Sequence, residues 1–321
     1  MRAIGFGFAT FLSLGVFVPN TAIAREHPPS AKDLLRDARL ADVRAVGHRS
    51  FQLEAKISLQ QANAMKTEGS YRLSWVSPSQ WREEFSFPDF NQVRVSAPGG
   101  VWETRKPAYL SLNLWQLMQA LTSYGRLELQ REETANKIKT KKKNGTSSRC
   151  IEVTRDGFPI RELCFSDDAA HLTSEHYLPS DRTYEFTDYR PVGTEFFPGI
   201  IDVYDGKALS AQFSVSKLEE KGIDHDFLLE KPTQAEWRPW CASPETGGDP
   251  LTPIFSRMVR SKGEATIYGA LGTDGQWHNV HVLESGGTAH DTDVLEALKK
   301  ERWKQTTCGG VPIVIETVFK R

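Results

Sequence analysis

The sequence predicts a two-domain α+β protein, in which a long series of antiparallel strands precedes a small ββαβ unit. Three observations lead to this fold class. The chain has 321 residues, enough for two ordinary domains that each bury a core. Alternating apolar and polar residues recur over residues 51–217 with few helical interruptions. A stretch rich in Pro, Gly and polar residues, 232–252, then reads as a linker before residues 253–321.

The first 24 residues predict a secretory signal peptide. Arg2 supplies a positive charge, residues 4–18 are almost wholly apolar, and Ala22-Ile23-Ala24 fits the small-x-small cleavage pattern. We therefore expect cleavage after Ala24. The alternative is an uncleaved inner-membrane anchor, although the apolar run is shorter than the roughly 20 residues that a span requires.

The first predicted domain, residues 30–231, opens with a helix. Ser30-Ala31-Lys32-Asp33 has the pattern of a capping box, and the helix should reach about Val43. Period-two alternation then predicts a strand in FQLEAKISL and a meander through SYRLSW, WREEFSF, NQVRVSA and GVWETR. Helical spacing replaces the alternation in SLNLWQLMQALTSYG, residues 111–125.

The strand pattern resumes from residue 150 to residue 217. It includes CIEV, IRELCF, YEFTDYR, EFFPGIIDVYDG and LSAQFSVSKLE. Many antiparallel strands with one or two helices favour a strongly curved sheet that helices cover on one side.

Four cysteines allow three disulfide pairings. The turn signal Asp156-Gly157 lies midway between Cys150 and Cys164, so a hairpin would bring their sulfur atoms together. Cys241 and Cys308 would then form the second bridge. The alternative is metal binding, but no pair has C-x-x-C spacing, and zinc is therefore not expected.

The C-terminal unit, residues 253–321, is predicted as two strands, a helix and a final strand. The strands are EATIYGAL, WHNVHVLES and VPIVIETVF, and the helix is DTDVLEALKKERWK. A unit of this size is too small to hold a deep catalytic cleft.

Composition and motifs argue against nucleic-acid binding and against an enzyme. The net charge is −1, so no global basic field favours nucleic acid. Ser285 has no nearby base in the sequence, and His278 and His281 face opposite sides of a strand. The motifs G-x-S-x-G and H-E-x-x-H do not occur. We expect a protein with no catalytic residues, no cofactor and no metal.

The C-terminal unit resembles the C-terminal domain of TonB, the periplasmic energy transducer. The resemblance rests on Asp274-Gly275, Val282 to Gly286, Asp291 to Ala297 and Gly310-Val311-Pro312-Ile313. It departs at Gln305, where that family usually has proline. The resemblance implies partner binding by strand addition, in which a peptide pairs with an exposed sheet edge. The candidate edge residues are Val311, Ile313, Val314, Ile315, Thr317 and Phe319; the alternative is that they pair only internally or at a dimer interface.

The first domain resembles the LolA-type lipoprotein-carrier and lipoprotein-sorting proteins. The resemblance rests on Tyr184 to Leu228, with matches at Tyr189, Arg190, Phe197, Pro198, Gly222, Asp224 and Phe227. It implies an open antiparallel β half-barrel with a helical lid around an apolar cavity. Candidate lining residues are Trp75, Trp81, Phe85, Trp115 and Met118; the alternative is an ordinary packed core.

Together these features predict a periplasmic, non-enzymatic binding or adaptor protein. Its expected partner is an envelope protein or peptide, such as an outer-membrane transporter. One alternative is a carrier of a lipid or acyl ligand in the first domain. The other is a membrane-anchored energy transducer for outer-membrane transport, which requires that residues 1–24 are retained.

Overall fold

The computed structural model describes residues 30–46, 49–60, 65–124, 127, 129, 132–143, 145–167, 171–223, 225–241, 264–300 and 302–321. The predicted signal peptide and residues 242–252 of the predicted linker lie outside the described residues. Among the described residues, every helix is too short or too polar to cross a membrane.

The described residues form five α-helices and nineteen strands. The helices are α1 (Ala31–Ala41), α2 (Val43–Val46), α3 (Leu112–Tyr124), α4 (His225–Leu229) and α5 (Thr288–Lys300). The first ten strands are β1 (Phe51–Gln60), β2 (Lys66–Ser77), β3 (Gln80–Phe87), β4 (Phe90–Ala97), β5 (Gly100–Lys106), β6 (Glu133–Ala135), β7 (Lys139–Lys143), β8 (Thr146–Arg155), β9 (Phe158–Ser166) and β10 (Leu172–Tyr177). The others are β11 (Arg182–Val192), β12 (Glu195–Asp205), β13 (Ala208–Glu220), β14 (Glu236–Pro239), β15 (Thr266–Leu271), β16 (Trp277–Glu284), β17 (Thr307–Cys308), β18 (Val311–Pro312) and β19 (Ile315–Lys320).

One antiparallel sheet of 14 strands dominates the fold. Its strand order is β14-β5-β4-β3-β2-β1-β13-β12-β11-β10-β9-β8-β6, and β7 pairs with β8 beside β6. Neighbouring strands are mostly consecutive in the chain, as short hairpin turns require. The exceptions are β1 with β13, β5 with β14, and β6 with β8, which bring distant parts of the chain into one sheet.

The alternating pattern of β1 places its apolar side chains on one face of the sheet. Phe51, Leu53, Ala55, Ile57 and Leu59 are all buried, whereas the residues between them are at least partly exposed. Helices α1, α2 and α3 contact the central strands β1, β12 and β13. The sheet face and the helices therefore share one hydrophobic core.

The predicted capping box is present at the start of α1. The Asp33 amide donates to Ser30 Oγ at 3.2 Å, and the Ser30 amide donates to the Asp33 carboxylate at 3.0 Å. The helix then buries Leu34, Leu35 and Ala38 against the sheet. The local sequence thus fixes where the helix begins, and its apolar stripe fixes which side faces the core.

The C-terminal residues form a three-stranded sheet in the order β16-β15-β19, which we call the C-terminal sheet. On one face, Ile267 and Leu271 of β15 share a small core with Val294 and Leu298 of α5. On the other face, Tyr268 contacts Arg105 and Trp115 of the large sheet and α3. All six residues of β15 are buried because both faces of the strand are covered.

The predicted α+β fold class is wrong. The described residues are mostly antiparallel β, and one 14-stranded sheet is their main element. A separate small ββαβ domain is not found in the part of the chain that the structure describes. The physical reason is that β15 needs the large sheet and α3 to cover one of its faces. In addition, Glu236–Pro239 of the predicted linker forms β14 and pairs with β5.

Both predicted disulfides are confirmed. Cys150 and Cys164 lie directly opposite each other on β8 and β9 and are bonded across the hairpin. Cys241 and Cys308 are bonded with Cα atoms 5.8 Å apart. The second bridge ties the end of the large sheet to the segment before β18, and so holds the C-terminal sheet against it.

Candidate ligand cavity

A cavity of about 610 Å³ lies where the large sheet meets the C-terminal sheet. Its walls come from the ends of β1, β2 and β3, the β12–β13 turn, the start of α3 and the end of β16. The lining residues are Leu59, Gln60, Thr67, Phe87, Asp89, Phe90, Pro107, Tyr109, Ser111, Leu112, Asn113, Leu114, Asp205, Ala208, Leu209, Ser210, Leu283 and Glu284. The volume is within the range of about 300–1,000 Å³ that is typical of small-molecule sites.

The lining combines an apolar wall with a small number of polar groups. Phe87, Phe90, Leu112, Leu209 and Leu283 supply the apolar wall. The carboxylates and amides come mainly from Gln60, Asp89, Asn113, Asp205 and Glu284, most of them in or beside turns at the strand ends. A cavity of this kind can bury an apolar chain and leave a few polar groups to orient it.

Gly69 allows the Phe87 ring to lie flat against the sheet at this cavity. A Cβ atom on Gly69 would come within 2.3 Å of that ring, well inside contact distance. Phe87 pairs with Phe90 at the β3–β4 turn, with ring centroids 6.4 Å apart. The missing side chain on β2 therefore creates the space in which this aromatic wall is built.

The C-terminal sheet closes one side of the cavity through β16. The Tyr109 ring stacks on the imidazole of His281 with centroids 3.6 Å apart, beside the lining residue Leu283. Burial lowers the pKa of His281, because desolvation penalises its charged form. A neutral imidazole at neutral pH suits a contact with an aromatic ring beside an apolar wall.

Arg105 anchors the C-terminal sheet to the large sheet next to the cavity. Its guanidinium lies 2.5 Å from Glu103, 2.9 Å from Glu316 on β19 and 2.8 Å from the Tyr268 hydroxyl. Burial, followed by the nearby Glu316 carboxylate, raises the pKa of Tyr268 well above its usual range. The anchor therefore joins one guanidinium cation to two carboxylates and a neutral hydroxyl.

A chain of buried polar side chains continues from this anchor across the inner face of the sheet. Arg94 lies 3.6 Å from Glu103 and 2.8 Å from Glu83, and Glu83 accepts a hydrogen bond from the Tyr71 hydroxyl at 2.9 Å. Burial, followed by the charge of Glu83, raises the pKa of Tyr71. The inner face near β3, β4 and β5 is therefore partly polar, in contrast to the apolar face of β1.

The predicted cavity residues lie elsewhere in the same core. Trp75, Trp81 and Phe85 are buried side chains of the main core, while Trp115 and Met118 pack against it from α3. The lining of the cavity described above does not include these five residues. Their proposed role as ligand contacts stays a prediction.

The predicted partner-binding residues divide between a strand and the segment before it. Ile315, Thr317 and Phe319 belong to β19, and within the described residues β19 pairs only with β15, so it lies at a sheet edge. Val311 and Val314 are exposed, whereas Ile313 is buried. Partner binding by these residues also stays a prediction.

A second, polar groove of about 810 Å³ lies on the opposite face of the large sheet. It contains the Cys150–Cys164 disulfide together with Glu162, Lys141 and many Ser and Thr side chains. Glu162, Cys150 and Cys164 are close enough to share a metal ion, but the two sulfur atoms are bonded to each other. A disulfide offers no thiolate ligand, so this group carries no metal proposal.

Sequence reasoning missed the residues that line the cavity. Phe87 and Phe90 flank the β3–β4 turn, and the alternating pattern marks them only as members of a buried face. Leu209 and Leu283 are far apart in the sequence, and they belong to strands of two different sheets. No local pattern indicates that these strand ends meet.

Fold and site together define an open antiparallel sheet protein with helices on one face and a part-apolar cavity at the strand ends. The structure is similar to a LolA superfamily protein from Nitrosomonas europaea (11% identity; 63% of this chain and 99% of that chain; TM-score 0.43). It is also similar to a putative outer membrane lipoprotein-sorting protein domain from Vibrio parahaemolyticus (14%; 60% and 94%; 0.42). A third similar structure is a DUF1329 family protein from Desulfovibrio piger (12%; 61% and 94%; 0.43).

These neighbours include the LolA-type group that the first domain is expected to resemble, and the comparisons do not show the resemblance to TonB. No protein-family model matches the chain, and no curated protein matches its sequence.

Proposed function

We propose that this chain is an exported, non-enzymatic protein that binds the apolar chain of a lipid-like ligand in the cavity between its two sheets. The observation that carries the proposal is the cavity itself: about 610 Å³, walled by Phe87, Phe90, Leu209 and Leu283, with polar groups near the turns. Burial of apolar ligand surface against such a wall is favourable by about 25 cal/mol per Å². The two disulfides support export, because such bonds persist in oxidising compartments.

The test uses a fluorescent acyl probe and two charge substitutions in opposite walls. Leu209→Arg changes the wall from the large sheet, and Leu283→Arg changes the wall from the C-terminal sheet. Each places a charge against the ligand chain, so each should weaken probe binding at least about tenfold, which corresponds to about 1.4 kcal/mol.

Leu229→Arg is the matched control, since Leu229 is an exposed leucine on α4 outside the cavity lining. It should leave the probe dissociation constant unchanged. Unsaturable probe binding by the unaltered protein, or equal effects of all three substitutions, would refute the proposal.

A second candidate function is capture of an envelope protein or peptide by strand addition at β19. The observation in its favour is that β19 lies at the edge of the C-terminal sheet and has only β15 as a strand partner within the described residues. A strand at a sheet edge can offer main-chain donors and acceptors to an extended peptide.

A photo-crosslinker at the exposed position Val314 tests this candidate in intact cells. The expected adduct contains an outer-membrane protein, and Ile315→Pro should remove it because proline deletes a ladder N–H. A crosslinker at the exposed Leu40 is the control. An adduct that persists in Ile315→Pro would show that partner capture does not use this edge.

A further inference from the structure

We infer that the layer of buried polar side chains next to the cavity recognises an uncharged, amide-type head group on the ligand. This inference rests on the proposed function and names the class of ligand. The side chains are those of Gln92 on β4 and of Arg94 and Arg105, which we call the inner polar layer.

The inner polar layer adjoins the cavity lining along β4 and β5, and its three residues are not themselves lining residues. Gln92 follows the lining residue Phe90 by two positions on the same strand, so both side chains project from the same face about 7 Å apart. Gln92 is paired with Arg105 on β5 and with Phe85 on β3. Arg105 precedes the lining residue Pro107 by two positions.

Gln92 is the clearest sign of a missing partner. Its side chain is only 1% exposed, yet neither its amide nitrogen nor its amide oxygen has a hydrogen-bond partner among the described residues. The Nε atoms of Arg94 and Arg105 are buried without a hydrogen bond among those residues, as are the Nε atoms of several other arginines, and Arg94 Nε lies 3.6 Å from the Glu103 carboxylate. Buried polar atoms in proteins are almost always hydrogen-bonded, so a buried side-chain amide with neither of its two polar atoms bonded indicates a group supplied from outside the chain.

The charges of the layer select against an ionised head group. The cations of Arg94, Arg105 and Arg238 are already balanced by three carboxylates, those of Glu83, Glu103 and Glu316. An added carboxylate would be a buried charge without a cation of its own, which is strongly unfavourable.

An uncharged amide fits the remaining donors and acceptors. The Gln92 Nε2 and Arg105 Nε groups can donate to a carbonyl oxygen, and Gln92 Oε1 can accept from an N–H. An ester satisfies the donors only, and an alkane satisfies none. The expected order of affinity at equal chain length is therefore amide, then ester, then alkane or carboxylate.

Displacement of the fluorescent acyl probe by lauramide, methyl laurate, dodecane and laurate measures this order at neutral pH. Lauramide should displace the probe at about tenfold lower concentration than laurate or dodecane, with methyl laurate between them. Gln92→Leu should reduce the advantage of lauramide over dodecane to about twofold or less. Asn91→Leu is the matched control, because Asn91 is the exposed neighbour on the other face of β4, and it should keep the full advantage.

The outcomes separate the two proposals. Saturable probe binding with equal displacement by all four compounds would overturn the head-group inference and leave the cavity proposal standing. Absence of saturable binding would overturn both. If laurate displaced the probe at the lowest concentration, the layer would accept an added carboxylate, and the argument from its balanced charges would be wrong.

A second measurement does not depend on ligand binding. Replacement of the buried amide of Gln92 by leucine removes two polar atoms without partners, so the ligand-free Gln92→Leu protein should need more urea to unfold than the unaltered protein. A lower urea midpoint would show that Gln92 is already satisfied within the folded protein, and would overturn the inference.

Discussion

Two regions of the molecule each combine a disulfide with an Arg–Glu ion pair, but the bonded residues are separated by very different distances in the sequence. In the hairpin region, β8 to β10, the Cys150–Cys164 disulfide lies near Arg161, which pairs with Glu175. In the docked region, where the C-terminal sheet meets β5, the Cys241–Cys308 disulfide accompanies the pair Arg105–Glu316. The cysteines are separated by 14 residues in the first region and by 67 in the second. The arginine and its glutamate are separated by 14 and by 211 residues.

The difference shows which contacts follow from local folding and which build the cavity. A hairpin brings Cys150 opposite Cys164, and the next strand brings Glu175 to Arg161, so these contacts form once the strands pair in order. The Arg105–Glu316 pair forms only when the C-terminal sheet docks. The hairpin region therefore stabilises the large sheet, whereas the docked region holds one wall of the cavity in place.

Removal of one disulfide at a time should give the largest changes in the free energy of unfolding. Chain-entropy arguments give a loss of about 4.4 kcal/mol for Cys241→Ser/Cys308→Ser and about 3.0 kcal/mol for Cys150→Ser/Cys164→Ser, because the first closes the longer loop. Urea unfolding of each double variant measures the free energy of unfolding. A larger loss at Cys150–Cys164 would mean that the docked region contributes less to global stability than its sequence separation implies.

Removal of the hairpin-region cation should be the next largest effect. Arg161→Met leaves the buried carboxylates of Glu175 and Glu133 without this partner, and we expect a loss of about 3 kcal/mol in the free energy of unfolding. Arg190→Met, which breaks a more exposed pair with Asp188, is the control and should cost at most about 1 kcal/mol. Equal losses would contradict a special role for the buried cluster.

Removal of the docked-region cation should cost less and act locally. Arg105→Met removes the Arg105 donor from Tyr268 and from Glu316, which keeps only Arg238, a cost of about 1–3 kcal/mol, but release of the C-terminal sheet lets both groups reach water. Hydrogen exchange should show faster exchange in β15 and β19, with β1 and β2 unchanged. Faster exchange spread evenly over the large sheet would contradict the separation of the two regions.

The smallest effect is an alkaline loss of stability from Tyr184, beside the hairpin region. Burial raises its pKa to about 12 from the ordinary 10.0. Between these values the folded state holds a proton that the unfolded state has lost, so the free energy of unfolding falls as pH rises. At pH 11 the loss is about 1.4 kcal/mol.

Tyr184→Phe should remove the share of the alkaline loss that Tyr184 contributes, about 1.4 kcal/mol at pH 11, as measured by urea unfolding between pH 9 and about pH 12, whereas the buried Tyr71 and Tyr268 keep their own shares. The effect of Tyr184→Phe should be the same in the Arg105→Met background, because Tyr184 belongs to the large sheet. A Tyr184→Phe effect that vanishes in the Arg105→Met background would show that the two regions are coupled.

Much of the large sheet could be predicted from the sequence, and the docking could not. The alternation in β1, the capping box at Ser30 and the Cys150–Cys164 hairpin are local features, and the structure contains each of them. The C-terminal strands were also recognised, but they were interpreted as an independent unit. Nothing in the sequence of β15 reveals that Tyr268 is covered by Arg105 and Trp115.

The candidate site likewise could not be predicted from local sequence features. The predicted lining residues, such as Trp75 and Trp81, were chosen for size and apolarity, and these two properties also describe an ordinary core. The cavity instead collects strand ends and turns, including Phe87, Phe90 and Leu283. Such residues are brought together only by the arrangement of two sheets.

By itself, the sequence determined the strands, their buried faces, the start of the first helix and a disulfide framework, because each depends on residues a few positions apart or on a single turn. The tertiary structure alone decided that the C-terminal strands dock on the large sheet, that a cavity opens between them and that Gln92 is buried beside it. The physical reason is the distance in sequence over which each kind of interaction acts. Periodicity and capping act over one or two turns of chain, whereas the contact between Arg105 and Glu316 joins residues 211 positions apart and depends on the packing of whole sheets.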